Sequence, residues 1–100
     1  MAAGQIDIAI PPEIAPSEAV RIVEACLAAE KLIIVLKSTL KKYPGCIHWH
    51  VKRGSQRGTL ELTLWQSRLW SKVNAGRTGD WIEATVAKLL QNFEQALSNR

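Results

Sequence analysis

Two apolar periods divide this chain. From Ser17 to about Lys42, apolar side chains recur at Ile22, Cys26, Ala29, Ile33, Leu36 and Leu40, steps of four and three that predict a helix with one buried stripe. Ser17 reads as its N-cap with Glu18 in the first turn, and Pro44-Gly45 as its stop. Val23, Leu27, Leu32, Ile34 and Val35 spill beyond the stripe, so the middle of that helix asks for cover on more than one side. After Gly45 the period becomes two. Ile47, Trp49 and Val51 share one face of a strand whose other face carries Cys46, His48, His50 and Lys52. Leu60, Leu62 and Leu64 alternate likewise with Glu61, Thr63 and Trp65, and Leu69 and Val73 with Arg68, Trp70 and Lys72.

Matching these faces across antiparallel pairs fixes a register. A turn at Ser55-Gln56 sets Val51 against Leu60 and Trp49 against Leu62. A turn at Gln66-Ser67 sets Leu64 against Leu69 and Leu62 against Ser71. One face is then apolar, and the other places Glu61 between His50 and Lys72. A final helix from Trp81 to about Leu97 buries Ile82, Val86, Leu89, Phe93 and Leu97, with Asp80 and Glu83 as a capping pair. Ahead of all this, Gln5–Ile10 alternates like a short edge strand and ends at Pro11-Pro12. The expected organisation is an extended N-terminal segment or linker over 1–16 and one α+β domain over 17–100. That domain is a three-stranded antiparallel meander with both helices on one face.

The α-β-β-β-α order is similar to the topology of double-stranded RNA-binding domains. The likeness covers topology alone, because the second helix opens on Asp80 and Glu83 where those domains place a lysine cluster.

Charge changes the picture. The chain of 100 residues carries a formal +4, but the excess is local. Residues 37–77 hold nine bases and one acid, Glu61, while the flanking stretches are acidic. Such a block attracts polyanions. The outer sheet face combines Trp65, Trp70 and His48 with Arg68 and Lys72. The turn after His50 adds Lys52, Arg53 and Arg57, and Lys41 and Lys42 extend the positive surface. Aromatic rings flanked by bases suit unpaired nucleic acid, so binding of RNA or a single strand is the first expectation. Association with a second copy or a protein partner, through the same face and the over-apolar first helix, is the second. The third is a metal or His/Glu hydrolase site. His48, His50, Cys46 and Glu61 are all ligand types placed on one face, although neighbouring ligands on a strand sit nearly 7 Å apart at the backbone. Binding rather than catalysis is expected overall, with no cofactor. The longest apolar run, Leu32–Leu36, is too short to cross a bilayer. Two cysteines without a leader segment suit free thiols in the cytoplasm.

Overall fold

The helix expected over 17–42 is much shorter. In the computed structural model, which describes residues 5–74 and 76–99, α1 spans Pro16–Ala29 and the chain then re-enters as a strand, β2, over Ile33–Leu40. Lys31 takes a left-handed φ of 59°, and the Leu32 N–H closes on the Leu27 carbonyl at 3.0 Å. That is the geometry by which helices stop, here without glycine. Beyond it lie the β-branched Ile33, Ile34 and Val35, whose χ1 stiffness suits a pleated strand. The apolar positions of this stretch fit both periods, and pairing with the following strand decides between them. The cap also differs from expectation. Ala15 is the N-cap, Pro16 opens the helix and Ser17 lies inside it, because the fixed φ of proline is already helical.

The sheet has five strands where three were expected. Besides β2 these are β1 (Asp7–Ala9), β3 (Tyr43–Lys52), β4 (Leu60–Trp65) and β5 (Arg68–Lys72), and α2 follows over Asp80–Ser98. All neighbours are antiparallel, in the order β1-β5-β4-β3-β2. The element order is therefore β-α-β-β-β-β-α, and the likeness to double-stranded RNA-binding domains does not hold. Within β3–β5 the pairs are Val51–Leu60, Trp49–Leu62, Leu64–Leu69 and Leu62–Ser71.

The inner face of β3, β4 and β5 is covered by α1 through Ala19, Val23, Cys26 and Leu27, and by α2 through Ile82, Val86, Leu89 and Phe93. Trp49 is fully buried at the centre. Its Nε1–H donates to Glu24 Oε2 at 2.9 Å, and Lys37 meets the same oxygen at 2.6 Å. These two partners, Lys37 first, hold the Glu24 carboxyl below its ordinary range. The N-terminal segment joins this core through buried Ile6, Ile10 and Ile14. The Ile6 N–H donates to Ser71 Oγ at 2.7 Å, and the Ile10 N–H to the Ser67 carbonyl at 2.7 Å. In contrast β2 is open. Ile33, Ile34, Val35 and Leu36 are 38–53% exposed along a strand with no neighbour on its far side.

The β3–β4 turn crosses the start of α2 at van der Waals closeness. Thr59 N–H donates to the Arg77 carbonyl at 2.8 Å, and Trp81 Nε1–H to the Arg57 carbonyl at 2.8 Å. Gly79, not Asp80, is the N-cap, and no side chain caps α2. Asp80 and Glu83 still complement the positive end of the helix from its first turn. Among the described residues no helix is long and apolar enough to cross a membrane.

The β4–β5 turn is the weakest local choice. Gln66 and Ser67 both sit at left-handed φ, 48° and 62°, where side-chain sterics cost roughly 1–2 kcal/mol per residue. Replacing Gln66-Ser67 by Asn-Gly, the pair this turn prefers, should raise stability by about 1–2 kcal/mol. Urea denaturation checks it, and an unchanged or lowered midpoint contradicts the assignment.

Candidate metal centre

Alternation puts His48 and His50 on the face of β3 away from the helices, and pairing with β4 brings Glu61 opposite His50 and Thr63 opposite His48. Side chains on one strand face stand two residues apart, but two imidazoles leaning together across Glu61 close that gap. His48 Nε2 and His50 Nε2 lie 3.1 Å apart. Glu61 Oε1 is 3.3 Å from the first and 3.7 Å from the second. The expected span of nearly 7 Å between neighbouring ligands is thus a backbone separation that the rings remove. Cys46 does not join them. It is buried, and its Sγ accepts the Leu40 N–H at 3.3 Å.

The triangle has the dimensions of one face of a tetrahedral metal site. Bonds of about 2.05 Å put tetrahedral ligands about 3.3 Å apart, against about 2.9 Å on an octahedral face with the same bonds. The centre of the observed triangle lies about 2.0 Å from all three atoms. His48, His50 and Glu61 are the cluster of this kind among the described residues.

Outer partners fix these donors. His48 Nδ1 lies 2.9 Å from Thr63 Oγ1, and Asn74 Nδ2–H donates to Glu61 Oε2. Each partner engages the outer atom of its group, the support that ligating groups need, while the two inward Nε2 atoms hydrogen-bond each other. His48, Glu61 and Thr63 are buried, and His50 is half-buried. Burial pushes the His48 imidazole below its ordinary pKa; the Glu61 carboxylate opposes that shift, while His50 and Lys72 reinforce it. The ring is thereby kept in the neutral form that ligates.

No protein family, curated protein or solved structure was found to match the chain. Function therefore rests on the site itself.

The remaining candidates divide between two faces. Lys72 stands beside Glu61 and Trp70 beside Thr63, so both share the outer face with the histidines. Trp65 and Trp70 flank Tyr43, with ring centroids at 4.9 and 5.1 Å, and Trp65 Nε1–H donates to the Pro44 carbonyl at 2.9 Å. Lys42 lies over the Tyr43 ring at 5.5 Å, next to Lys41 in the β2–β3 turn. Lys52 belongs to the outer face of β3 by alternation. Arg68 is paired with Asp7 of β1. Arg53 and Arg57 are not part of this surface. Arg53 turns to the helices, donating to Thr85 Oγ1 at 3.0 Å and lying 5.9 Å from the Trp81 ring, and the Arg57 backbone carbonyl sits at the α2 crossing with the residue exposed.

Sequence reasoning missed Tyr43 and Asn74. Tyr43 falls just past the expected helix end at Lys42, and only recognition of the β2–β3 hairpin reveals it as a neighbour of the tryptophans. Asn74 lies beyond the last strand, and no pattern marks it.

Proposed function

We propose that this domain binds a divalent first-row metal ion, zinc by its geometry, through His48 Nε2, His50 Nε2 and Glu61 Oε1. The observation that carries this reading is the donor triangle, with edges of 3.1, 3.3 and 3.7 Å. Three protein ligands leave the fourth tetrahedral position open, the arrangement of zinc sites that act on a ligand rather than merely brace a fold. The donor triangle lies on the sheet face away from the helices. A metal there is a Lewis acid, able to polarise a phosphoryl or carbonyl oxygen or to lower the pKa of a bound water. Thr63 and Asn74 hold His48 and Glu61 in the orientation ligation needs, and Lys72 adds a positive charge at the rim. The site is suited to an anionic ligand.

Cobalt(II) serves as a coloured stand-in for zinc. The wild-type protein should take up one equivalent with the visible absorption of a four-coordinate ion. His50→Ala and Glu61→Gln should each weaken uptake at least tenfold. Zinc at 100 times its dissociation constant should add about 2.7 kcal/mol to stability, through binding to the folded state alone. Wild-type uptake equal to that of a His48→Ala/His50→Ala double variant refutes the proposal.

A further inference from the structure

Next to the donor triangle, on the same sheet face, lies a cleft of about 510 Å³ walled by Tyr43, Trp65 and Trp70 and edged by Gln5, Gln66 and Arg68. Its volume falls within the range of small-molecule sites, roughly 300–1,000 Å³. Trp70 links the two features. It pairs with Thr63, and Thr63 pairs with His48, in one row across β5, β4 and β3. Trp70 stands one to two strand spacings of about 4.8 Å across the sheet from the triangle between β3 and β4, whereas Trp65 lies four residues along β4 from Glu61, about 13 Å.

We infer that this face holds a nucleoside phosphate, its phosphate on the metal and its base against the Trp70–Tyr43–Trp65 wall. The inference rests on the metal reading above. Charge supports it: a divalent ion, the Glu61 carboxylate and Lys72 sum to two positive charges, the complement of a phosphate dianion. Size supports it for a base stacked on Trp70, which shares a row with Thr63 and His48. The wall supplies aromatic faces on which any base stacks, and Gln5 and Gln66 line the same cleft. Lys72 is exposed beside Glu61, placed to reach an oxygen the metal leaves free. The phosphate has two sources, a free nucleotide, whose monoester is the dianion the charge sum matches, or a single-stranded nucleic acid, whose internal diesters carry one negative charge each.

Tryptophan fluorescence of the zinc-loaded protein tests this with adenosine 5′-monophosphate, adenosine, inorganic phosphate and a ten-residue single-stranded oligonucleotide. The monophosphate should quench and should bind at least tenfold tighter than adenosine or phosphate alone. Trp70→Ala should weaken the monophosphate about fivefold to more than a hundredfold, the worth of one stacked base, while leaving cobalt absorption unchanged. Lys72→Ala should weaken the monophosphate and inorganic phosphate alike. Oligonucleotide binding more than tenfold tighter than the monophosphate identifies a strand as the ligand, and equal binding identifies the free nucleotide. Cobalt uptake without a preference for the monophosphate over phosphate overturns this inference and leaves the metal site standing. Equal monophosphate binding with and without zinc also overturns it, and failure of cobalt uptake removes the metal site itself.

Discussion

Trp49→Ala is expected to cost about 3–5 kcal/mol, enough to consume much of the stability of a 100-residue domain. The indole is fully buried under α1 and α2, so the loss combines transfer of the ring with a cavity that rigid neighbours fill only partly. The same truncation removes the donor to Glu24, whose carboxylate keeps Lys37 as its partner. Trp70→Ala, on the opposite face and half-exposed, should cost only about 1 kcal/mol, the scale of its edge contact with Tyr43. Guanidinium denaturation of the two variants checks the assignment of faces. Equal losses contradict it.

The second large effect comes from a residue with no side chain. A Cβ built on Gly79 stands 1.8 Å from the Arg57 carbonyl oxygen and 3.2 Å from Trp81 Nε1. The first atom is backbone and cannot swing aside. Gly79→Ala must therefore push the β3–β4 turn off the start of α2, breaking the Trp81–Arg57 and Thr59–Arg77 hydrogen bonds that join them. The expected cost is about 3 kcal/mol or more, at or beyond the upper end for overpacking. Gly79 has an extended φ of −156°, so backbone strain plays no part and the clash alone is tested. Gly76, with nothing within 4 Å of a built Cβ, has only its left-handed φ of 84° to lose. Gly76→Asn, which that conformation tolerates, should be nearly silent. Thermal unfolding of both variants makes the comparison, and a stable Gly79→Ala protein rules out the crossing.

What the sequence conveyed and what it hid follow from the same physics. The pairings of Trp49 with Leu62 and Glu61 with Lys72 were legible because period two with matched faces leaves one register. That His48, His50 and Glu61 share a face was legible for the same reason. Their convergence was not, because strand spacing describes Cα positions, while ligand distances depend on how far an imidazole reaches. The long helix failed at Lys31 because a leftward turn on a non-glycine residue carries no sequence mark. It failed again at Ile33–Leu36, where steps of three and four and a continuous apolar run are indistinguishable over so few residues. In the sequence Gly79 is simply a glycine just before α2. Its real constraint, a chain crossing 22 residues away at Arg57, is invisible to any local pattern.

The two rims of the sheet are unequal, and this bears on how copies of the chain can combine. On one rim β1 offers three residues and ends at Pro11-Pro12, which have no N–H to donate. On the other, β2 offers eight residues with Ile33–Leu36 bare and its single charge, Lys37, drawn to Glu24 of the same chain. Were two copies to pair antiparallel along β2, the union would consume the usable rim of both molecules at once, and growth by edge pairing would terminate at a symmetric couple instead of propagating into a fibre.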